Sequence, residues 1–359
     1  MCKILDYIKP GVLNSKETQI IFSLAKKHKF AIPAINCIST DSMNSVLESA
    51  AKMQSPVIIQ FSYGGASFIS GLGLKNHKPH TNAIIGAISG AQHIHLLAKY
   101  YKIPVILHTD HCDIHNLEWI NGLIREGKKF FKKNKRPLFS SHMIDLSKES
   151  IKKNITISSQ YLKKITKLNM ILEIELGCTG GEEDGVNNLH INKELLYTDT
   201  KDIYYTFKKL IKISNNFIIA AAFGNTHGVY QPGNILLKPS ILKKAQKYIS
   251  KKKTLPHNPL NFVFHGGSGT NSNNIKKSIN YGVVKFNIDT DIQWNYWKGV
   301  LDFYCTNKQY LHSQLGNSLK ANQPNKKYYD PRVWLRSAQN NLKKYLEKMF
   351  KLLNSFKKL

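Results

Sequence analysis

The stretch PVILHTDHC, residues 104–112, shows the pattern that decides the fold of this chain. Three apolar residues follow its proline, and His108, Asp110 and His111 stand near its end. Burying three titratable groups at the end of an apolar strand is costly unless other groups pair with them. We therefore interpret the stretch as a buried strand whose last residues leave the core and enter a site.

Further runs along the chain repeat this pattern of apolar residues followed by a polar residue or a glycine turn. The full set of eight spans 30–37, 56–62, 104–111, 138–145, 170–177, 217–224, 260–267 and 282–290. Longer segments with helical spacing separate the runs, which is typical of parallel βα units. Eight such units predict an α/β fold, a (β/α)8 TIM barrel. The carboxyl ends of all barrel strands share one rim, so distant polar residues are expected to meet there.

One domain over residues 1–359 is predicted, with additions at both ends of the barrel. Residues 1–29 are interpreted as an N-terminal lead-in helix and 299–359 as a C-terminal helical extension. The glycine-rich stretch 63–80 is interpreted as a mobile rim loop. The sequence has no membrane-length apolar run and begins without the pattern of an export signal. Its five scattered cysteines fit a reducing compartment, so we expect a cytoplasmic protein.

The formal net charge of +29 raises the alternative of a nucleic-acid-binding protein. Only four of the 52 basic residues are arginines, and the lysines are spread over every helix-like segment. A nucleic-acid site usually concentrates arginines in one patch. We therefore expect neither a nucleic-acid nor a membrane partner, and interpret the lysines as a compositional bias of solvated helix faces.

Alternation along two runs places charged residues inside the barrel. Glu173 and Glu175 share one face of the fifth run, and Lys285, Asn287 and Asp289 share one face of the eighth, opposite Val284, Phe286 and Ile288. Barrel interiors are packed with side chains. We therefore expect Glu173 and Lys285 to neutralise each other in a structural role.

Three histidines, His111, His227 and His265, stand at or just past the ends of the third, sixth and seventh runs. Three imidazoles with one open position are a common ligand set for catalytic zinc. His108 and His142 also stand near strand ends, and spacing alone leaves them open as alternatives.

Other polar positions at strand ends suggest further parts of a site. Asp145 and Glu175 fit either a second cation site or a supporting role beside the metal ligands. The run HGGSG, 265–269, offers backbone N–H groups and the Ser268 hydroxyl to an anion, and NIDTD, 287–291, follows the eighth strand, where barrels often bind phosphate. The loop GCTGGEEDGV after the fifth strand carries three acids suited to proton transfer, Glu182, Glu183 and Asp184.

Together these motifs resemble class II fructose-bisphosphate aldolase, in its longer, class IIA bacterial form. The likeness is carried by VILHTDHC, FSSHMIDLS, LEIELGCTGGEEDGV, FGNTHGVYQPGN, NFVFHGGSG, GVVKFNIDTD and QPNKKYYDPRVWLR. It implies a zinc-dependent, homodimeric aldehyde-lyase of glycolysis and gluconeogenesis that cleaves fructose 1,6-bisphosphate to dihydroxyacetone phosphate and glyceraldehyde 3-phosphate. Tagatose 1,6-bisphosphate is the alternative substrate on the same scaffold. A lysine Schiff-base aldolase is a weaker alternative, because Lys285 is deep and has Glu173 as its expected partner.

The resemblance also implies a role for each matching residue. The catalytic zinc ligands are matched by His111, His227 and His265. A second zinc position is matched by Asp145 and Glu175. Asp110 matches the acid that protonates or polarises the aldehyde oxygen, and Glu183 matches the base that removes the hydroxymethyl proton of dihydroxyacetone phosphate.

The remaining matches concern substrate binding. The dihydroxyacetone phosphate site is matched by Gly228, Gly266, Gly267, Ser268, Asn287, Ile288, Asp289 and Thr290. Asn36 and Ser62 match groups that contact the substrate, and Arg332 matches the arginine that holds the far phosphate from a neighbouring subunit. The resemblance also implies a monovalent cation, K⁺ or Na⁺, near the phosphate loop.

Overall fold

A computed structural model describes residues 3–75, 78–183, 186–188, 193–226 and 236–359, and of 182–183, 186–188 and 193–194 the backbone alone. Within these residues, eight parallel strands pair side by side and close into a ring. In chain order they are β1 Ile32–Asn36, β2 Val57–Phe61, β3 Pro104–Thr109, β4 Ser141–Ile144, β5 Ile171–Leu176, β6 Phe217–Ala221, β7 Phe262–Phe264 and β8 Val283–Ile288. Each lies inside one of the eight predicted runs, so the (β/α)8 barrel is confirmed.

Helices surround the barrel and extend beyond its last strand. They are α1 Ser15–His28, α2 Thr40–Met53, α3 Tyr63–Ile69, α4 Thr81–Tyr100, α5 Leu117–Asn134, α6 Ile151–Thr166, α7 Thr200–Leu210, α8 Ser240–Lys253, α9 Ser272–Asn280, α10 Thr290–Asn307, α11 Lys326–Tyr329 and α12 Pro331–Leu352. The predicted lead-in helix is α1, which starts with a capping box between Asn14 and Glu17. The C-terminal helices α10–α12 begin at Thr290, earlier than the predicted boundary at 299.

Shorter elements connect these parts. A two-residue strand, Gly11–Val12, pairs with β3 outside the ring, and a hairpin is formed by Gly181–Glu183 and Val186–Asn188. Single 3-10 turns lie at Ile4–Asp6, Ile114–Asn116, Lys193–Leu196 and Lys308–Tyr310. No helix among the described residues combines the length and apolar character needed to cross a membrane.

The barrel interior changes from apolar at its base to polar at its mouth. On β3, Ile106 packs in an apolar cluster with Ile21 and Phe22 of α1, which close the base. The next residues on the same face, His108 and Asp110, contact charged groups instead. Because side chains alternate along a strand, the inner face of β3 changes from apolar to charged toward the mouth, while its outer face packs against the helices.

Strand β8 departs from this simple alternation. Its pairing with β7 passes from Val283 to Lys285 and skips Val284, which marks a bulge. Val284 packs in the interior cluster, whereas Phe286 and Ile288 pack in the layer between strands and helices. The prediction that Val284 shares a face with Phe286 and Ile288 is therefore wrong, because the bulge shifts the alternation by one residue.

The rim loop predicted over 63–80 is wrong for its first seven residues, which form α3. The helix begins because the Ser62 hydroxyl accepts a hydrogen bond from the Gly65 N–H at 3.1 Å. A Cβ on Gly86 of α4 would stand 1.7 Å from the carbonyl oxygen of Ala66. The absence of a side chain at Gly86 therefore permits close contact between α3 and α4.

Candidate active site

Asp110 and His111 directly follow β3 at the mouth of the barrel. Strand alternation would turn His111 away from Asp110, yet side-chain atoms of both belong to one group with His265, in which the ligand atoms lie within 4.8 Å of one another. His111 has φ of 36°, in the left-handed region that non-glycine residues seldom adopt. Such a conformation costs about 1–3 kcal/mol and is concentrated at functional sites. The turn therefore brings neighbouring side chains to the same place.

Two of the three predicted metal-binding imidazoles converge. His111 Nε2 lies 2.9 Å from His265 Nδ1, and the ring centroids are 4.6 Å apart. The other nitrogen of each ring faces a carboxylate, with His111 Nδ1 3.1 Å from Asp145 Oδ2 and His265 Nε2 2.8 Å from Glu173 Oε1. Carboxylates in these positions orient metal-binding histidines. The third predicted ligand, His227, lies outside the described residues.

This group fits a divalent metal ion. Imidazole nitrogens and carboxylate oxygens are the donors that zinc prefers. In a tetrahedral site with about 2.05 Å bonds the two nitrogens would be about 3.3 Å apart, so these rings need to separate by a few tenths of an ångström. In addition, Glu175 Oε2 is buried without a hydrogen-bond partner among the described residues, and lies 3.5 Å from His111 Nδ1. An orphaned buried carboxylate oxygen is a position that a cation can satisfy.

The carboxylates beside His111 differ in their electrostatics. Burial and the nearby Asp145 raise the pKa of Glu175 to about 8. Burial also acts to raise the pKa of Asp145, but the hydrogen bond with His111 and those from Ser147 hold that pKa well below its usual range. Burial lowers the pKa of His111, and the charges of Asp110, Asp145 and Glu175 outweigh it, so the pKa lies well above the ordinary value. The three carboxylates therefore favour a positive charge at the position of His111.

Asp110 is 1% exposed and is held by amide groups from the adjacent strand β2 and from β8, which lies further around the ring. Gln60 Nε2 donates to Asp110 Oδ2 at 2.7 Å, and Asn287 Nδ2 donates to Asp110 Oδ1 at 3.2 Å. Gln60 also donates to Asn36 Oδ1. Sequence analysis missed Gln60, although it lies between Ile58 and Ser62 on the inner face of β2, and that alternation is the signal that could have found it.

Of the histidines left open as alternative ligands, His142 lies outside the groups with metal-ligand spacing among the described residues, whereas His108 shares such a group with Asp110 and Glu173. His142 Nδ1 is 2.7 Å from Thr109 Oγ1, and burial lowers the pKa of His142 to about 3. His108 Nδ1 is 2.7 Å from Ser141 Oγ, and burial and the nearby Lys285 lower its pKa well below the ordinary value. The predicted pair of Glu173 and Lys285 is confirmed, because Lys285 Nζ donates to Glu173 Oε2 at 2.7 Å.

The loops after β7 and β8 meet at the same rim. Ser268 Oγ accepts a hydrogen bond from the Asp291 N–H at 3.3 Å, and Asn287 lies at the carboxyl end of β8. Gly266 has φ of 60°, and a Cβ on Gly267 would stand 2.3 Å from the Phe286 ring. The backbone therefore favours glycine at 266, and a side chain at 267 would clash with the Phe286 ring. Of the other predicted residues here, Ile288 ends β8, Asp289 follows it, and Thr290 begins α10.

The remaining predicted site residues are placed as follows. Asn36 and Ser62 are buried at the ends of β1 and β2. Glu183 ends the first strand of the hairpin, but its side chain, like Gly228, lies outside what the structure describes. Arg332 lies in the first turn of α12 with its side chain 87% exposed, and its Nη2 donates to Asp330 Oδ2 at 2.6 Å.

Comparisons with known proteins agree with this geometry. Residues 16–358 match the family model of class-II fructose-bisphosphate aldolase. The chain is 64% identical to the class 2 fructose-bisphosphate aldolase of Buchnera aphidicola subsp. Schizaphis graminum over 99% of both chains. It is 58% identical to the class 2 fructose-bisphosphate aldolase of Escherichia coli K12, also over 99% of both chains. The structure superposes on fructose-bisphosphate aldolase from Campylobacter jejuni with a TM-score of 0.91, at 49% identity and full coverage of both chains.

The barrel, its mouth and these likenesses define a metal-dependent aldehyde-lyase. The chain belongs to the class II fructose-bisphosphate aldolase family, as the resemblance in its motifs predicts. These relatives are named for fructose bisphosphate, so neither the tagatose alternative nor the nucleic-acid alternative is favoured.

Proposed function

We propose that this aldolase cleaves and re-forms fructose 1,6-bisphosphate with a catalytic Zn²⁺ held by three histidines, His111, His227 and His265. The observation that carries the proposal is the 2.9 Å approach of His111 Nε2 to His265 Nδ1, with the second nitrogen of each ring on a carboxylate. When bound, zinc would act as a Lewis acid beside the ketose carbonyl and thereby favour cleavage of the C3–C4 bond. Asp145, Glu175 and the nearby His111 form a group that fits a second zinc position.

Asp110 and Glu183 carry the two proton transfers in this proposal. In cleavage, Asp110 accepts the proton of the C4 hydroxyl, and in condensation it returns a proton to the aldehyde oxygen. Its hydrogen bonds from Gln60 and Asn287 fix the carboxylate for this task. In cleavage, Glu183 gives a proton to the carbon that becomes the hydroxymethyl group of dihydroxyacetone phosphate, and in condensation it removes that proton, in the role that the family resemblance implies. Each positioned proton transfer contributes roughly 10² to 10⁴ in rate.

The phosphate groups of the substrate anchor it so that the C3–C4 bond lies beside Asp110. The joined loops at Gly266–Ser268 and Asn287–Thr290 support binding of one phosphate, since backbone N–H groups and the start of α10 suit an anion. A K⁺ or Na⁺ ion beside these loops is part of the proposal. The net charge of +29 attracts anionic sugar phosphates over a distance.

The functional unit in this proposal is a homodimer in the cytoplasm. Helix α10 carries large apolar side chains at helical spacing that are substantially exposed, namely Trp294 (58%), Trp297 (53%), Leu301 (39%) and Tyr304 (41%). A stripe of this kind favours contact with another protein surface. The exposed guanidinium of Arg332 is proposed to bind the far phosphate in the active site of the partner subunit.

A turnover assay with and without chelator tests the proposal. We expect cleavage of fructose 1,6-bisphosphate in preference to tagatose 1,6-bisphosphate, loss of activity in EDTA, and recovery with Zn²⁺. Activity that survives EDTA, together with covalent trapping of substrate by borohydride, would contradict the metal mechanism and indicate a lysine imine. Sedimentation at assay concentrations measures the oligomeric state, and a monomer would contradict the proposed dimer.

A further inference from the structure

A buried ion-pair network lies beneath the mouth of the barrel. Lys285 Nζ donates to Glu173 Oε2 at 2.7 Å, and the second oxygen, Glu173 Oε1, lies 2.8 Å from His265 Nε2. Lys285 and His265 are each 1% exposed, and Glu173 is fully buried. A single carboxylate therefore joins an ammonium group on one side to a metal-binding imidazole on the other.

The network fixes which nitrogen of His265 faces the metal. A carboxylate accepts hydrogen bonds, so Glu173 places the ring proton on Nε2 and leaves the lone pair on Nδ1. Nδ1 is the atom that faces His111 Nε2. The amide Nδ2 of Asn287 lies 3.3 Å from the same Nδ1, which agrees with a lone pair there.

Lys285 keeps the carboxylate of Glu173 in this position. An isolated charge at such depth is strongly unfavourable, and an ion pair with good geometry offsets much of that cost. Lys285 Nζ also lies 3.8 Å from Asp110 Oδ1, and side-chain atoms of His108, Asp110 and Glu173 form a group with metal-ligand spacing. The lysine thus supplies a built-in positive charge to a group of residues that would otherwise suit a cation.

We propose that Lys285 and Glu173 form a clamp that positions His265 for zinc, so the pair sets the affinity of the metal site in addition to stabilising the barrel. The inference rests on the proposed zinc site. The clamp acts through His265, and neither of its members is a catalytic residue. Loss of such an outer partner of a metal ligand weakens metal affinity by roughly 10- to 100-fold.

The test compares variants that separate stability from metal binding. Glu173→Leu or Lys285→Met alone leaves a buried charge without its main partner, so each single variant is expected to lose stability. The double variant Glu173→Leu/Lys285→Met removes both charges of the pair together with the acceptor for His265 Nε2, and avoids most of this cost. Ile218→Ala serves as the control, because Ile218 is a buried interior residue of the apolar base.

Zinc affinity is measured by chelator competition with the purified full-length enzyme, and the Co²⁺-substituted form gives the ligand geometry from its visible spectrum. We expect the double variant to bind zinc about 10- to 100-fold more weakly than wild type, with an altered cobalt spectrum, and Ile218→Ala to match wild type in both. Zinc affinity and spectrum equal to wild type in the double variant would assign the pair a structural role only and overturn the inference alone. A wild-type enzyme that binds no zinc would overturn the proposed metal mechanism and the clamp with it.

Discussion

Replacement of Gln60 by leucine tests how much catalysis depends on the support of Asp110. Gln60 is fully buried, and its Nε2 donates to Asp110 Oδ2 at 2.7 Å. A hydrogen bond to a charged group contributes about 1.5–3 kcal/mol. Each 1.36 kcal/mol corresponds to a factor of ten in rate, so complete loss of this contribution would slow the reaction by about 10- to 150-fold.

The remaining contacts of Asp110 reduce this figure. Asn287 Nδ2 still donates at 3.2 Å to Oδ1, and Lys285 Nζ remains 3.8 Å from the same oxygen. These contacts are longer than the one from Gln60 and restrain mainly one oxygen. We therefore expect Gln60→Leu to lower kcat/KM by about 10- to 30-fold, with zinc content unchanged because Gln60 lies outside the histidine group.

Gln246→Leu is the matched control. Gln246 is also buried, but it bonds to the backbone of Leu260 and Tyr281, at the amino ends of β7 and β8, opposite the mouth. Its loss leaves buried backbone groups unpaired, so Tm should fall while kcat/KM stays near wild type. Gln60 Oε1 has no hydrogen-bond partner among the described residues, so Gln60→Leu should lose less Tm than the control. Equal kcat/KM for both variants and wild type in a steady-state cleavage assay would refute the reasoning.

Four other substitutions test the proton carriers, the phosphate contact and a partly buried lysine. Asp110→Ala should retain zinc, measured by atomic absorption, and lower turnover at least about 100-fold; unchanged turnover would remove Asp110 from the mechanism. In Glu183→Ala, solvent exchange of the hydroxymethyl proton of dihydroxyacetone phosphate, followed by NMR, should vanish, and persistent exchange would indicate another base. Arg332→Ala should raise KM for the bisphosphate with little change in zinc content, and an unaltered KM would argue against a phosphate contact. Burial lowers the pKa of Lys26 from 10.5 to about 8, so the folded wild type gains stability as pH rises between these values. Lys26→Met should therefore have a higher Tm than wild type at neutral pH and lose that advantage near pH 10, and a pH-independent difference in Tm would contradict this assignment.

Electrostatics and geometry together explain why the mouth is the reactive part of the barrel. The inner faces of the strands carry apolar residues at the base, an ion pair above them, and hydrogen-bonded acids and imidazoles at the rim. The cost of burying these polar groups is offset by the contacts among them. The apolar base and the outer helical layer supply the stability that permits the strained backbone at His111.

The pattern of residues along the chain was enough to predict the barrel and much of its mouth. Side-chain alternation along a strand is a local property with a period of two. It was enough to predict the strands, their polar ends, and the inward direction of Glu173 and Lys285. The tertiary structure decided where this local rule is broken. The left-handed turn at His111 and the bulge at Val284 both redirect side chains, and no residue pattern marks either of them. The role of Gln60 depends on strand order, because β2 pairs with β1 on one side and with β3 on the other, which brings its amide to Asn36 and Asp110 together. Alternation assigns a residue to a face, whereas its partner is set by packing between strands that are far apart in the chain.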